Sequence, residues 1–312
     1  MALLEVTVVF LSLWLGSCSS HAPSPPASTP SSAITLRATP DGEIWFRHSR
    51  IQLRFDGEMY CRVFLYQDGK HYSINDIPPD PAKAKPTHFI AIGGEEVRDF
   101  QVDYKNIGAS EIRTQFGAGR RLHLAGYAKT SSGVVIEKKL AVELYDDLPD
   151  AAFLSATYRN TDQRASIVVT ASSASFFRMD ATRGSEGSPS YEFSIAWGDA
   201  NGQPPEQIDP KYSRSFHTTR QGESAFVDLW TQRMGMAVGD LSTGNGNIIA
   251  AVEVTPDRKV ALNFQVPGTL QLPPNGSFST PRIVWLVHTG DAHVARERYR
   301  ELKRRLTHRD HL

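Results

Sequence analysis

Apolar and polar residues alternate over residues 135–145, where every even-numbered position is apolar except Lys138. A period of two is typical of a β-strand with one buried face, and the methylene stem of a lysine can lie along such a face. Residues 146–149, Asp-Asp-Leu-Pro, predict that the strand ends there, because proline lacks an amide donor and aspartate favours turns. Residues 151–158 then resume the extended pattern, so we expect two adjacent antiparallel strands.

Similar runs continue along the chain after residue 34, at residues 51–55, 60–66, 121–128, 165–172, 224–230, 248–254, 260–266 and 283–288. The segments 129–133 and 255–258 have the composition of hairpin turns. Strands do not alternate with amphipathic helices, which disfavours a parallel α/β architecture. The pattern predicts an all-β fold, a large antiparallel β-sandwich, with surface loops over the Gly-, Pro- and Ser-containing residues 184–221.

One helix is predicted near the C-terminal end, where Ala295, Tyr299, Leu302 and Leu306 recur at helical spacing and Asp291 precedes them as an N-cap. We therefore expect a sandwich over residues 34–289, a helix over 290–306 and a tail over 307–312. Residues 290–312 carry three more basic than acidic side chains. We interpret this excess as a solvated helix face, because cations are favoured near the C-terminal end of a helix.

The first 18 residues resemble a secretory signal, with a short apolar core that is too short to span a bilayer. Leu15-Gly16-Ser17-Cys18 resembles a bacterial lipobox, which predicts lipidation of Cys18, although Glu5 stands where such signals carry a positive charge. The alternatives are an ordinary signal peptide or a start assigned upstream of the true initiating methionine. Residues 19–33, rich in Pro and Ser, are predicted to be a flexible linker. These features predict an exported protein, periplasmic or an outer-membrane lipoprotein if bacterial, that meets a membrane only through a lipid anchor.

Basic and acidic residues are equal in number, 34 of each, so the net charge gives no reason to expect a nucleic-acid partner. The two cysteines do not form a disulfide framework, and Cys61 is predicted to be a small buried residue. Ten scattered histidines have no carboxylate or cysteine companions at a spacing typical of zinc sites, so no metal and no cofactor are expected.

No catalytic motif is found in the sequence. A Gly-x-Ser-x-Gly elbow is missing, and the Gly117-x-Gly119 pair is followed by a strand pattern, not by the helix that a phosphate site needs. Asp146 and Asp147 are adjacent, so on an extended chain they point to opposite faces and do not converge on one glycosidic bond. We therefore name no catalytic residue.

Exposed aromatic side chains are the groups with which a protein surface stacks on sugar rings. Trp197, within the predicted loops, is the first candidate for carbohydrate binding, and Trp230, at the end of a predicted strand, is the second. Trp45 and Trp285 lie within predicted strands and are expected in the core.

Two segments resemble α-galactosidases of glycoside hydrolase family 36. "FGAGRRLHLAGY" with "GVVIEKKLAVELYDDLPDAAFLSATYRNT" is similar to the N-terminal β-supersandwich of that family, and "LPPNGSFSTPRIVWLVHTGDAHVARERYRELKRRL" to its last strand and the helix that leads to the catalytic barrel. The resemblance implies a galactose mutarotase-like supersandwich. In that family the catalytic aspartates lie on a barrel downstream of the helix, and no position here matches them. The resemblance therefore implies an accessory domain with a structural or carbohydrate-contacting role, and a separately encoded barrel as a further partner.

Two other functions remain open. An aldose mutarotase-like enzyme would use a histidine and a glutamate in the cleft of the sheet, such as His123 with Glu137 or Glu143. A carbohydrate-binding surface lipoprotein without chemistry would depend on Trp197.

Overall fold

The structure is a computed structural model that describes residues 34–75, 85–180, 194–197, 206–217, 225–231, 234–242, 248–257, 259–289 and 292–307. The predicted signal and linker, Cys18, and the predicted cap Asp291 lie outside these residues. The first strands are β1 (Thr35–Ala38), β2 (Ile44–Arg47), β3 (Ile51–Phe55), β4 (Cys61–Gln67), β5 (Lys70–Ser73), β6 (Phe89–Ile92), β7 (Glu95–Val97), β8 (Gln101–Val102), β9 (Gly108–Thr114), β10 (Gly117–Lys129), β11 (Val135–Tyr145) and β12 (Leu148–Asn160).

The later strands are β13 (Ile167–Asp180), β14 (Ser194–Trp197), β15 (Glu206–Gln207), β16 (Ser213–His217), β17 (Phe226–Trp230), β18 (Gly235–Asp240), β19 (Ile249–Val254), β20 (Lys259–Val266), β21 (Leu270–Leu272), β22 (Ser277–Ser279) and β23 (Ile283–His288). One α-helix, α1 (Ala292–Thr307), follows β23. The all-β class with one C-terminal helix is thereby confirmed. The expectation of loops over residues 184–221 was wrong in part, because β14, β15 and β16 lie within that segment.

The strands form three antiparallel sheets. β1 to β5 pair in chain order in a five-stranded sheet, and a seven-stranded sheet runs β16-β19-β20-β13-β6-β7, with β21 beside β13. An eleven-stranded sheet runs β15-β14-β17-β18-β23-β12-β11-β10-β8, with β22 beside β12 and β9 beside β10. Thus the predicted hairpins all form, and the β11–β12 hairpin turns at Asp146 and Asp147, with Tyr145 opposite Leu148.

The prediction that Pro149 interrupts the extended chain was wrong, because Pro149 is the second residue of β12. The register of this hairpin is irregular between Glu143 and Tyr145. Proline is tolerated near the first residue of a strand and at such bulges, where the missing N–H costs no ladder hydrogen bond.

A single large core joins the three sheets, with Leu53 from the five-stranded sheet, Leu140 from the eleven-stranded sheet and Phe264 from the seven-stranded sheet among its members. The core prediction was wrong for Trp45, which is half-buried on the outward face of the five-stranded sheet, because the inward positions of β2 are Ile44 and Phe46. Trp285 of β23 is fully buried between the two larger sheets, as the sequence predicted. Its indole Nε1 donates to Ser175 Oγ at 3.0 Å, and its ring meets that of Phe177 edge-on at 4.6 Å. Satisfying the indole N–H is what allows so large an aromatic to be buried completely.

α1 packs on the outer face of the eleven-stranded sheet. Ala295, Tyr299 and Leu302 are buried there, as the helical spacing predicted. Tyr299 lies against Gly239, where a Cβ atom would stand 2.3 Å from the tyrosine ring, so the glycine permits the close approach of helix and sheet. In the described part of the chain no helix is long and apolar enough to cross a membrane.

Lys138 lies inside the sandwich, fully buried. Its Nζ donates to the backbone oxygen of His88 at 2.9 Å and lies 5.1 Å from the centre of the Phe100 ring. Burial lowers the pKa of this lysine to about 7, since the interior disfavours its charged form.

A second buried polar pair joins β17 to β23. His288 Nε2 lies 2.8 Å from Asp228 Oδ1, and both side chains are almost completely enclosed. The remaining polar atoms, Asp228 Oδ2 and His288 Nδ1, have no hydrogen-bond partner among the described residues. The hydrogen bond between the two side chains is therefore the contact that offsets the cost of burying them.

We predict that Lys138 makes stability pH-dependent. Between pH 7 and 10.5 the unfolded chain binds more protons than the native state, so the free energy of unfolding rises with pH in that window. The gain from this residue between pH 7 and pH 9 is on the order of 2 kcal/mol. Urea unfolding of the wild type and Lys138→Met at both pH values measures it, and a stability difference that does not change with pH would contradict the prediction.

For the buried pair, we predict that His288→Ala costs about 3–5 kcal/mol, because it leaves the Asp228 carboxylate buried without a partner. The double variant Asp228→Ala with His288→Ala should cost less than the two single changes added together. A matched control is His123→Ala at an exposed histidine, expected to change stability by less than about 0.5 kcal/mol. Additive costs in urea unfolding would show that the two side chains are not coupled.

Candidate functional site

A groove of about 430 Å³ lies on the outer face of β10, β11 and β12. Alternate residues of these strands face it, since His123 pairs with Ala141, Ala125 with Lys139 and Tyr127 with Glu137 across β10 and β11. Its floor contains small residues, Ala125 and Ala141, and its polar lining comprises Asn106, His123, Tyr127, Glu137, Lys139, Ser155 and Thr157. The period of two that predicted the strands therefore also selects the groove residues.

Glu137 is the carboxylate of this groove. It is 4% exposed, and its oxygens receive hydrogen bonds from Arg159 Nε at 2.6 Å and from the Tyr127 hydroxyl at 3.3 Å. Lys139 Nζ lies 3.6 Å from Oε1. Burial alone would raise the pKa of Glu137, but the hydrogen bond from Arg159 and the charges of Lys139 and Arg159 outweigh it and hold the pKa below its ordinary value. The side chain is therefore an ionised acceptor held in one orientation.

Tyr127 is the exposed aromatic of the groove, with 39% of its surface accessible. Burial and then the neighbouring Glu137 charge raise the pKa of its hydroxyl, so the phenol stays protonated and can donate. At the other end of the groove, His123 is exposed, with Nε2 3.4 Å from Ser110 Oγ. Thr157 Oγ1 lies 2.8 Å from Ser279 Oγ and adds hydroxyl groups from β12 and β22.

His123 and Glu137 line the same groove but do not form a contacting pair. His123 and Tyr127, the strand partner of Glu137, are four residues apart on β10. This separates His123 from Glu137 by about 14 Å along the strands. Glu143, the other partner considered for His123, does not line the groove. It is buried and engaged by Arg121, Arg282 and Tyr145, with Arg121 Nε at 2.8 Å and the Tyr145 hydroxyl at 2.6 Å.

Neither tryptophan proposed from the sequence is among the residues that line the groove, and carbohydrate binding through them stays a prediction. Trp230 ends β17 with 9% of its surface exposed, which leaves little of its ring for a ligand. The backbone of Trp197 belongs to β14 and pairs with Val227, and its side chain lies outside the described residues. Among the described residues no group of three or more potential metal ligands occurs.

Sequence reasoning missed Tyr127, Lys139 and Arg159 as members of this site. The available signal was the strand pairing: once the hairpin between β10 and β11 is assigned, Tyr127 lies opposite Glu137, and Arg159 follows from the next hairpin. These residues are far apart in sequence, and the register of the three strands brings them together.

No protein-family model matches the sequence, and no curated protein matches it. Among solved structures, the chain is similar to the family 36 α-galactosidase AgaB from Geobacillus stearothermophilus, with a TM-score of 0.56 and 12% identity over 81% of this chain and 41% of that one. It is similar to the galactosidase domain of the α-galactosidase–sucrose kinase AgaSK, with a TM-score of 0.59 and 10% identity over 82% and 42% of the two chains.

A third similar structure is a variant of the α-galactosidase AgaA from Geobacillus stearothermophilus in complex with stachyose, with a TM-score of 0.54 and 13% identity over 86% of this chain and 42% of that one. At these identities the similarity is one of fold. The chain spans about two fifths of the length of these α-galactosidases. The fold that the sequence resemblance predicted is thus confirmed: this chain has the β-supersandwich fold found within family 36 α-galactosidases.

Proposed function

We propose that this chain is a non-catalytic, carbohydrate-contacting domain of the α-galactosidase type, and that the groove between Tyr127 and His123 binds an α-galactosyl oligosaccharide. The observation that carries the proposal is the fixed arrangement of Glu137, which Arg159, Lys139 and Tyr127 hold ionised beside an exposed aromatic ring. A sugar offers hydroxyl donors for such a carboxylate and an apolar ring face for the tyrosine.

The shape and chemistry of the groove favour a sugar over a larger apolar ligand. Ala125 and Ala141 are small and leave room for a ring, and Lys139, Asn106 and Thr157 add hydrogen-bond donors and acceptors to the lining. Ligand sites commonly combine such an apolar surface with a few polar groups that fix orientation. The stachyose complex of AgaA, a protein with a similar fold, supports an α-galactosyl oligosaccharide as the first ligand to test.

Hydrolysis in the groove has no support from its lining. Glycoside hydrolysis ordinarily uses two carboxyl groups that flank the scissile bond, and Glu137 is the one carboxylate among the residues that line the groove. The next carboxylate on this face, Glu143, is occupied by two arginines and a tyrosine. Cleavage would therefore require a catalytic domain elsewhere, such as the separately encoded barrel proposed as a partner.

A mutarotase-like activity is the second candidate, because His123 and Glu137 share one groove. Acid–base catalysis works best when the catalytic pKa lies near the operating pH. The surrounding cations hold the pKa of Glu137 below its ordinary value, away from neutrality. This is why binding without chemistry is the better proposal.

We predict that the purified chain binds stachyose and that Glu137→Gln and Tyr127→Ala each weaken the binding about tenfold or more, since each removes one contact to a charged or aromatic group. Isothermal titration calorimetry measures the affinity. Glu111→Gln, at an exposed position of β9 outside the groove lining, is the matched control and should bind like the wild type.

Three outcomes would overturn the proposal. The wild type fails to bind stachyose, or it hydrolyses an aryl α-galactoside in a way that Glu137→Gln abolishes. The third outcome is that the chain accelerates galactose mutarotation, measured by optical rotation, and that His123→Asn removes this activity. That result would establish the second candidate.

We also propose that the chain is exported and lipidated at Cys18, on the support of the apolar segment and lipobox-like sequence before it. Expressed in a bacterial host, the full chain should incorporate labelled palmitate and partition into detergent, and Cys18→Ser should abolish both. Equal labelling of the wild type and the variant would contradict lipidation at this residue.

A further inference from the structure

The outward face of the five-stranded sheet concentrates positive charge. The strand registers place Arg37, Arg47, Arg54 and Arg62 on this face together with Trp45 and Phe64, while the alternate residues lie in the core. We call these six residues the arginine face. The outward positions of β1 to β5, all of which the structure describes, include no acidic residue.

Aromatic rings hold the guanidinium groups in place. The Arg47 guanidinium lies 4.1 Å from the centre of the Trp45 ring, and the Trp45 ring stacks on Phe64 at 5.6 Å with an interplanar angle of 23°. Arg54 lies 5.5 Å from the Trp45 ring and 6.0 Å from the Phe64 ring. Cation–π contacts of this kind restrict the guanidinium groups while their N–H edges remain able to bind an anion.

The positive charge is only partly compensated. Glu43, just before β2, pairs with Arg54 at 3.1 Å, and no carboxylate within ion-pair distance of Arg37, Arg47 or Arg62 is found in the described part of the chain. Burial and then the charge of Arg37 lower the pKa of Arg47, which places these two cations near each other. Arginines held together without a carboxylate between them attract a bridging anion.

Two polar atoms on this face also lack partners. Arg47 Nε and Gln52 Oε1, on residues that pair directly across β2 and β3, are buried and make no hydrogen bond within the part of the chain that the structure describes. Gln52 is 6% exposed. Both atoms are enclosed, so a ligand meets the outer parts of these side chains and not the two atoms themselves.

From these observations we propose that the arginine face binds an acidic polysaccharide, whose uronate carboxylates are bound by Arg37, Arg47 and Arg62 and whose hydroxyls add hydrogen bonds. Neighbouring strands are about 4.8 Å apart and alternate residues about 7 Å apart. The guanidinium groups therefore form an array in which a polymer with one carboxylate per ring engages several at once.

Two other polyanions fit this face less well. Single-stranded nucleic acid binds by stacking its bases on free aromatic faces, whereas the Trp45 ring already contacts Arg47 and Phe64. A membrane surface is bound through exposed apolar side chains beside the cations, and the large exposed apolar residues of the described chain lie elsewhere, for example Val168, Leu270 and Val294.

Binding of a fluorescein-labelled oligogalacturonate to the full chain, followed by fluorescence anisotropy, tests the proposal. We expect saturable binding that weakens as salt is added, because the contacts are ionic. The double variant Arg37→Gln with Arg62→Gln leaves the Arg47–Trp45 stack intact and should bind at least about tenfold more weakly. Adding Arg47→Gln should remove binding, while Arg304→Gln, at an exposed position of α1, should leave it unchanged.

Circular dichroism melting of each variant separates loss of binding from loss of fold. Absence of oligogalacturonate binding at low salt, or equal binding by the folded Arg37→Gln, Arg62→Gln variant, would overturn the proposal. Equally tight, equally arginine-dependent binding of oligothymidylate or phosphatidylglycerol vesicles would overturn the choice of ligand. Glu137→Gln should keep oligogalacturonate binding, and the arginine variants should keep stachyose binding, so failure of this proposal is distinct from failure of the groove.

Discussion

The register between β11 and β12 is the constraint on which the rest of the structure depends. The chain reverses over two residues, Asp146 and Asp147, and Tyr145 lies opposite Leu148. Side chains alternate between the two faces of a strand, so a shift of one residue would move every core side chain of β11 to solvent and every groove side chain to the core. The register shifts between Glu143 and Tyr145, so the pairing of the groove residues is set by the hydrophobic pattern of the two strands as well as by the turn.

Two adjacent residues of β11 show that this register decides the electrostatic environment of each side chain. Glu137 and Lys138 are both enclosed, but Glu137 has two cations and a phenol around it, whereas Lys138 has one backbone oxygen and an aromatic ring. The first environment favours the charged carboxylate and lowers the pKa of Glu137. The second disfavours the charged ammonium group and lowers the pKa of Lys138. An ionised carboxylate in the groove and a destabilising core lysine thus follow from one register.

The sequence predicted the architecture well and the candidate site poorly, for a physical reason. A period of two identifies strands, and the spacing of Ala295, Tyr299 and Leu302 identifies the helix face, because both are local patterns set by burial. The groove needs three strands in register, which no local pattern specifies, and so Glu137 was noticed only as a possible partner of His123, while Tyr127 and Arg159 were missed. The prediction for Pro149 was wrong because proline is disfavoured in a strand where its missing N–H would leave a ladder hydrogen bond unmade. At a bulge no such hydrogen bond is needed.

The distribution of charge over the surface also could not be predicted from composition. Equal numbers of basic and acidic residues argue against a field over the whole molecule, but they say nothing about how strands distribute those residues between faces. In β1 to β4 the alternation places four arginines on one side and apolar residues on the other, and the acidic residues Glu43 and Asp56 lie outside the strands, before β2 and after β3. A neutral chain therefore carries a cationic surface on one sheet and a carboxylate-centred groove on another. Because the two surfaces are built by different sheets, a surface substitution on one sheet leaves the strand pairing of the other unchanged.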